Sequence, residues 1–283
     1  MERDKQNKGG AVFLLLLAEV LCVLNDAFVK LLPRIPTIEI TCGRYFFATL
    51  TLLPFIFIDK KTLMTRYLHI HVLRSIVFCS ALCLWQVGLK TTIMSSVNLI
   101  GSSGPFFLLI LSLIFLRERF TFVRFITSLF SFLSVFLIID FNELSFTSGS
   151  AVLLFSNVLF AISDVVNKKF ATKESQLTMV FYFNLVSFLV CFVPTYVVFV
   201  VPNVIELVYM VCLGGGASLM LYLCLKSFAL ADASFLSPFK YSEFVFSVIF
   251  GYLLFNEVPH KYSLVAFGII ITCNIYLYMK ERK

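Results

Sequence analysis

The chain has 283 residues, of which 60% are hydrophobic and only 14% are charged. Soluble globular proteins carry about 25% charged residues, so this composition excludes an ordinary soluble domain and indicates a polytopic membrane protein. The net charge of +7 does not indicate nucleic-acid binding, because the basic residues lie in short loops where they set membrane orientation.

Ten apolar segments follow one another along the chain, each near the roughly 20 residues that a helix needs to cross a bilayer. The breaks between them contain proline, asparagine or clustered charges, which are typical of turns. The segments are too long for strands and show no alternation. The first is interpreted as an uncleaved helix, since no cleavage site follows it. The predicted spans are residues 11–32, 37–57, 72–91, 94–116, 121–140, 149–168, 177–201, 204–226, 235–255 and 260–279.

The distribution of lysine and arginine predicts the orientation of these spans. With the N-terminus placed in the cytoplasm, most basic loop residues fall on the cytoplasmic side. The central loop DFNELSFTS at 140–148 has two acids and no base, as expected on the outside. Both termini are therefore predicted to be cytoplasmic.

A polar stripe runs through the first span. Glu19, Cys22, Asp26 and Lys30 are three or four residues apart, so they share one face of a helix. Ionisable groups at membrane depth are costly and normally face a cavity or a protein interior. The stripe therefore predicts a polar cavity inside the protein.

The stripe has a second copy in the other half of the chain. A shift of 138 residues gives three aligned pairs: Asn157 with Glu19, Asp164 with Asp26, and Lys168 with Lys30. Further on, LSLIFLRERF at 111–120 aligns with FGYLLFNEVP at 250–259, and Glu118 falls on Glu257. Five spans in each half would insert the second half inverted. The prediction is an all-α fold of ten transmembrane helices in two inverted repeats, residues 1–143 and 144–283, with a site near the midplane between them.

The cysteines and histidines do not indicate a metal or a cofactor. All eight cysteines lie in apolar runs without a CxxC pair, and the three histidines lie near loops. The acids are scattered single residues rather than a catalytic cluster at one membrane face. We predict that the protein is not an enzyme and has no metal or cofactor.

Two stretches resemble the Pro, apolar run, Glu signature that ends the fourth helix of each repeat in the EamA branch of the drug/metabolite transporter superfamily. They are GSSGPFFLLILSLIFLRERFT at 101–121 and ASFLSPFKYSEFVFSVIFGYLLFNEVP at 233–259. Further stretches resemble the S-adenosylmethionine transporters of obligate intracellular bacteria: LNDAFVKLLP at 24–33, RYFFATLTLLPF at 44–55, ISDVVNKKFATKES at 162–175, LKSFALADAS at 225–234 and PFKYSE at 238–243. Lys240 departs from that group, where arginine is frequent.

The resemblance implies a monomeric carrier in the bacterial inner membrane that imports S-adenosylmethionine in exchange for S-adenosylhomocysteine by alternating access. Coupling to protons through Asp26 or Glu19 is an alternative. An exporter of amino acids or other small metabolites with the same fold is the alternative function. The expected partners are the small-molecule substrate and the lipid bilayer, without nucleic acid.

The implied substrate has a sulfonium, an ammonium, a carboxylate and an adenine, and each group needs a matching residue. Asp26 or Glu19 is predicted to bind the cationic groups. Lys240 or its rival Arg44 is predicted to bind the carboxylate, and Trp85 to stack on the base. The other predicted binding residues are Asn98, Asn157, Asp164, Tyr222, Tyr241 and Glu243.

Several of these residues have a structural alternative. Asp26 and Asp164 could each pair with the lysine one helical turn further on. Lys240 could likewise pair with Glu243, three residues away. Glu118 and its repeat partner Glu257 are expected to cap or gate helices rather than contact substrate.

Overall fold

A computed structural model describes residues 7–58, 64–91, 100–135, 148–256 and 261–281. These residues form helices and no strand, as the all-α prediction requires. The described helices are α1 (Lys8–Lys30), α2 (Thr37–Ile58), α3 (Leu68–Thr91), α4 (Gly104–Phe115), α5 (Phe122–Val135), α6 (Ser148–Phe170), α7 (Gln176–Val198), α8 (Val204–Leu230), α9 (Ala233–Lys240), α10 (Ser242–Phe255) and α11 (Lys261–Glu281).

Within the described residues, seven helices are long and apolar enough to cross a membrane: α1, α2, α3, α6, α7, α8 and α11. Helices α4 and α5 are apolar but shorter. The chain is therefore a multi-pass helical membrane protein.

The predicted single span 235–255 is two helices in the structure. Helix α9 ends at Lys240, and α10 begins at Ser242 after the turn residue Tyr241. Pro238 lies in the last turn of α9, where it lacks an N–H and crowds the preceding turn. The N–H of Tyr241 accordingly bonds to the carbonyl of Pro238, three residues back, at 3.3 Å. We call this interruption the second break.

A similar interruption precedes α4 in the first half. Residues 102–103 form a turn, and α4 begins at Gly104 with Pro105 in its first turn. The shift that aligns Glu118 with Glu257 also aligns Ser102 with Tyr241. We call this turn the first break; residues 94–99 of the predicted span 94–116 lie outside the described residues.

The long helices pack in reciprocal pairs. Helix α1 packs on α8 as α6 packs on α3, and α2 packs on α8 as α3 packs on α7. Helix α1 also contacts α9 and α10, and α6 contacts α4. Each broken segment is therefore held by the first long helix of the other half.

Glycines on α8 allow α1 and α2 to approach closely. A Cβ added at Gly214 would lie 2.6 Å from the amide nitrogen of Ala48 on α2. A Cβ at Gly216 would lie 2.7 Å from Oδ1 of Asn25 on α1. Small residues at such crossings are typical of membrane helix packing.

One face of the protein carries both the start of α1 and the end of α11, and we call it the terminus face. Lys8 Nζ donates to the backbone carbonyl of Glu281 at 2.6 Å. Arg124 donates to the Glu281 carboxylate at 2.7 Å and to Ser234 Oγ at 2.7 Å, and it pairs with Asp232 at 3.3 Å. These bonds tie α1, α5, α9 and α11 together.

Glu118 caps α9 at the same face. Its carboxylate accepts from the backbone N–H groups of Ala233 at 2.9 Å and Ser234 at 2.8 Å. A carboxylate at a helix N-terminus satisfies free donors and complements the helix dipole. The capping role predicted for Glu118 is confirmed, whereas Glu257 lies outside the described residues.

An apolar core lies beneath these charges. Its members include Leu108, Phe228, Phe235, Leu236 and Phe239, all buried. The charges and this core close the protein at the terminus face.

Candidate functional site

The charged residues predicted for the site all lie in one group in the middle of the protein. They come from α1, α2, α6 and the two sides of the second break, and Cys22 lies among them. We call this group the central cluster: Glu19, Cys22, Asp26, Arg44, Asp164, Lys240 and Glu243. Tyr222, Tyr241 and Asn157 lie elsewhere, as described below.

Lys240 forms an ion pair with Asp164 across the interface between α9 and α6. The distance from Nζ to Oδ2 is 2.6 Å, and both side chains are about one-fifth exposed. This pair replaces the two alternatives considered from the sequence, Lys240 with Glu243 and Asp164 with Lys168. Lys168 instead donates to the carbonyls of Phe228 at 2.6 Å and Ala231 at 2.5 Å, at the end of α8.

Asp26 is exposed and has no ion pair within the described residues. The charges that act on it are those of Glu243, Arg44 and Lys30. The helical pair with Lys30 does not form, and the Lys30 ammonium lies 4.8 Å from the centre of the Phe255 ring. The carboxylate of Asp26 is thus available to a ligand.

Arg44 is half-buried on α2, close enough to Asp26 to interact with its charge. Its Nε is buried and has no hydrogen-bond partner, and no carboxylate of the described chain lies within ion-pair distance of the guanidinium. A half-buried guanidinium whose Nε has no hydrogen-bond partner is unfavourable, and an anionic ligand would compensate it.

Glu19 lies at the middle of α1 and is only 5% exposed. It forms no hydrogen bond or ion pair with the residues that the structure describes. One oxygen of Glu19, Sγ of Cys22 and an oxygen of Glu243 all lie within 4.8 Å of one another. The Cys22 thiol donates to Glu243 Oε1 at 3.3 Å. Cys22 shares the face of the predicted stripe, but its sequence context alone indicated only a buried apolar residue.

The exposure of the cluster changes along α1. Asp26, nearer the face opposite the termini, is exposed, whereas Glu19 at mid-depth is buried. The apolar core and the charges of the terminus face lie beyond Lys240. Exposure within the cluster is therefore greater toward the face opposite the termini.

Two aromatic rings lie next to the cluster. Phe160 precedes Asp164 by one turn of α6, so both side chains are on the same face. The ring of Trp85 is 6.4 Å from that of Phe160 in an edge-to-face arrangement. Trp85 also packs against Ile100 and Leu153. The side chain predicted to stack on the base thus adjoins the cluster through Phe160.

Asn157 makes a structural contact at the first break. Its Nδ2 donates to the carbonyl of Ile100 and to Ser103 Oγ, the latter at 3.2 Å. Its amide donors are therefore used within the protein, although the same position in the other half is the unpartnered Glu19.

Tyr222 and Tyr241 also lie outside the central cluster. The Tyr222 ring packs near Leu52, and the Lys226 ammonium lies 5.7 Å from the centre of that ring. Tyr241 is buried against Val245 and Ile270. Asn98 lies outside the described residues.

A separate groove of about 490 Å³ lies between α2, α7 and α8. Its walls are almost entirely apolar, and Phe192, Tyr196 and Phe199 on its rim are exposed. Such a surface suits lipid chains rather than a charged solute. The central cluster, not this groove, is the candidate site.

Comparison with known proteins reveals related transporters. An S-adenosylmethionine uptake transporter of Rickettsia bellii is 32% identical over 95% of this chain and 93% of its own length. A riboflavin transporter of Brucella anthropi is 24% identical over 87% of this chain and 89% of its own. A crystal structure with 14% identity covers 96% of both chains with a TM-score of 0.82, which shows a shared fold.

The sequence profile of the EamA-like transporter family matches twice, at residues 9–140 and 147–279. Together the two matches cover nearly the whole chain. The relatives are transporters rather than enzymes and differ in the molecule that they carry. This multi-pass membrane protein therefore belongs to the EamA-like transporter family.

Proposed function

We propose that this transporter imports S-adenosylmethionine in exchange for S-adenosylhomocysteine by alternating access. The observation that carries the proposal is a group of unpaired charges of both signs, Arg44 with Glu19 and Asp26, in one cluster at membrane depth. The similarity to an S-adenosylmethionine uptake transporter supports the same substrate.

The charges of the cluster match those of the substrate. Arg44 can hold the substrate carboxylate with two parallel hydrogen bonds, a geometry that lysine lacks. Lys240 is already paired with Asp164, so Arg44 is the preferred carboxylate ligand. Glu19, Asp26 and Glu243 provide negative charge for the sulfonium and the ammonium.

The aromatic pair provides a surface for adenine. Phe160 lies one turn from Asp164, and Trp85 packs edge to face against Phe160. Stacking of a base on an aromatic ring contributes about 1–3 kcal/mol in nucleic-acid sites. The base would therefore lie toward α6 and α3, and the amino-acid end toward α1 and α2.

The unpaired charges also favour exchange over simple uptake. Closure around an empty cavity would bury Arg44 without a ligand and leave the already buried Glu19 unpartnered, which costs several kcal/mol. Either adenosyl amino acid brings a carboxylate to Arg44 and an ammonium to the acidic side chains. The loaded carrier can then close and reorient, while the empty carrier is held back.

We further propose that the carrier consists of two inverted five-helix repeats, residues 1–143 and 144–283, acting as a monomer in the bacterial inner membrane. The reciprocal helix packing and the two matches of the family profile support the repeats. With both termini in the cytoplasm, the closed terminus face would make this structure an outward-facing form.

The test is uptake of labelled S-adenosylmethionine into proteoliposomes that are either empty or preloaded with S-adenosylhomocysteine. We expect rapid uptake only with internal S-adenosylhomocysteine. Equal uptake into empty vesicles would rule out obligatory exchange. No uptake in either case, with vesicles whose protein is folded and correctly inserted, would rule out the substrate.

Competition tests the alternative cargo. An excess of unlabelled S-adenosylhomocysteine should suppress the uptake, whereas unlabelled amino acids should have little effect, because they lack the adenosine that contacts Phe160. Strong inhibition by amino acids alone would favour a carrier of small amino acids with the same fold.

A further inference from the structure

We propose that Glu19, Cys22 and Glu243 form a binding site for one soft divalent cation, Zn²⁺ or Cd²⁺, inside the central cluster. Each residue offers one ligand atom, and the three atoms lie within 4.8 Å of one another. The proposal depends on this geometry and not on the identity of the transported substrate.

The backbone arranges the three ligands on rigid elements. Glu19 and Cys22 are three residues apart on α1, so they point from the same helix face. Glu243 is in the first turn of α10, directly after the second break, and faces them from the other side. The break therefore brings the third ligand to the face of α1.

The distances are close to those of a metal site. Tetrahedral zinc sites have bonds of about 2.0–2.3 Å, which place neighbouring ligand atoms about 3.3–3.8 Å apart. The distance from Cys22 Sγ to Glu243 Oε1 is already 3.3 Å. The Glu19 oxygen lies within 4.8 Å of both atoms, so rotation of its flexible side chain by about 1.5 Å or less completes the spacing. One position remains open for water or another ligand, as in catalytic zinc sites.

The charge balance independently indicates a missing cation. Glu19 is 5% exposed and has no hydrogen bond or ion pair within the described chain. Lys240, the closest candidate to neutralise it, is bound to Asp164 at 2.6 Å. A divalent cation would supply the positive charge that the buried carboxylate lacks.

The ligand types select the metal. A thiolate with two carboxylates favours Zn²⁺ or Cd²⁺ over Mg²⁺ or Ca²⁺, which prefer oxygen ligands alone. Binding requires the thiolate form of Cys22, so the thiol proton is released to solvent when the metal–sulfur bond forms. The ion would occupy the place of a cationic ligand group, so ion and transported substrate should compete.

The experiment uses the full-length protein in detergent, titrated with Cd²⁺ and monitored by thiolate-to-cadmium absorption and calorimetry. The wild type should bind one tight ion per chain with a cadmium–thiolate band. Substitutions of residues that hold a metal's ligands in place typically lower metal affinity by roughly 10–100-fold. Removal of a ligand itself should cost more, so Cys22→Ser should lower the Cd²⁺ affinity of the tight site by about 100-fold or more. Glu243→Gln should weaken it as well, without removing the thiolate.

The matched control is Cys224→Ser. Cys224 lies near Lys240 and Glu19, but it is on α8 and is not one of the three proposed metal ligands. Its substitution should leave the tight site unchanged. Thermal unfolding checks that each variant is folded. If Cys22→Ser does not fold, the Cd²⁺ affinities of Glu19→Gln and Glu243→Gln decide the outcome.

The proposal is overturned if the wild type binds no tight Cd²⁺, if folded Cys22→Ser binds it unchanged, or if Cys224→Ser loses as much affinity. Because binding is measured directly, a failure of S-adenosylmethionine uptake would not affect these outcomes. Conversely, absent metal binding would leave the uptake experiment intact.

Discussion

Arg44 and Lys240 are both cations of the central cluster, but they differ in their partners. Lys240 is paired with Asp164 at 2.6 Å, while Arg44 has a buried Nε without a hydrogen-bond partner in the described chain. An exposed salt bridge contributes little to stability. A cation held at membrane depth without an anion, in contrast, strongly favours the binding of an anionic group. This difference distinguishes a lysine with a structural partner from an arginine that we propose to bind ligand.

Substitution of Arg44 should weaken the binding of substrates that carry a carboxylate. A charge-assisted hydrogen bond contributes about 1.5–3 kcal/mol, so Arg44→Ala should raise the Kd for S-adenosylmethionine about 10–100-fold. Arg44→Lys should recover only part of the affinity, because it lacks the bidentate geometry. Equilibrium binding to the purified protein measures both.

The control is the decarboxylated form of the substrate. It lacks the group that Arg44 is proposed to hold, so its Kd should change little between the wild type and Arg44→Ala. Equal losses for both ligands would show that Arg44 does not contact the carboxylate.

The Asp164–Lys240 pair leads to a stability prediction. Asp164→Asn leaves the Lys240 ammonium without its anion and should destabilise the fold by a few kcal/mol. The double variant Asp164→Asn with Lys240→Met removes both charges and should regain most of the loss. Thermal unfolding in detergent gives the values, and additive destabilisation in the double variant would argue against a pair.

The sequence predicts which residues belong to the cluster better than it predicts their partners. The stripe on α1 and its repeat identified Glu19, Asp26 and Asp164, because helical spacing determines which face a residue occupies. The pairing of Asp164 with Lys240 joins positions 76 residues apart and depends on how α6 and α9 pack. Helical spacing alone favoured the local pairs.

At the scale of the helix, the triple glycine of α8 makes a matched pair of substitutions possible. A Cβ at Gly214 would lie 2.6 Å from the backbone nitrogen of Ala48, and backbone cannot move aside as a side chain can. At Gly215 the nearest atom is Cγ2 of Thr51 at 3.8 Å, an ordinary contact. The two neighbours differ in packing but not in helix propensity.

Gly214→Ala should therefore destabilise the protein by about 1–3 kcal/mol through overpacking. Gly215→Ala should be neutral or slightly stabilising, because alanine is the better helix former by up to about 1 kcal/mol. The comparison of their melting temperatures is the measurement. A melting temperature for Gly214→Ala at or above that of Gly215→Ala would contradict the close approach of α2 and α8.

The helices were predictable, but the second break was not. Residues 235–255 are apolar throughout, and hydropathy gives one continuous span. Pro238 lies within this span, but proline is tolerated in many membrane helices, as Pro54 in α2 and Pro194 in α7 illustrate. The interruption at Tyr241 depends on the capped start of α9 and its packing on α1, which are tertiary features.

At the scale of the whole molecule, the terminus face is held closed by bonds between helices. Arg124 joins α5 to Glu281 on α11 and to Ser234 on α9. Opening this face requires these bonds to break and the core around Phe235 to separate. The strength of this contact should therefore set the balance between the two faces.

Arg124→Ala should open the terminus face more often. In oriented proteoliposomes, Cys22 should then react faster with a membrane-impermeant maleimide applied at that face, as measured by mass spectrometry of the Cys22 peptide. Arg119→Ala is the matched control, because Arg119 is exposed and has no partner among the described residues. Unchanged Cys22 labelling in Arg124→Ala, or an equal increase in Arg119→Ala, would contradict a closing role.

The repeated architecture remains a prediction from the sequence with structural support. The shift that aligns Glu118 with Glu257, one residue longer than the shift that matches the stripes, also aligns the two breaks, and the helices pack reciprocally. The predicted boundary between residues 143 and 144 lies outside the described residues. Hydropathy alone could not have distinguished parallel from inverted packing, because this depends on contacts between distant helices.

The aligned positions Asn157 and Glu19 differ in one respect that affects how the carrier moves. Asn157 fastens α6 to the first break through Ile100 and Ser103, whereas Glu19 has no such bond to the second break in the described chain. The two breaks are thus held differently, because the second break lacks this bond and is held instead by Lys240 with Asp164 on one side and by Cys22 with Glu243 on the other. Under the alternating access that we propose, the two breaks should therefore move unequally, and the inward and outward forms should not be mirror images of each other.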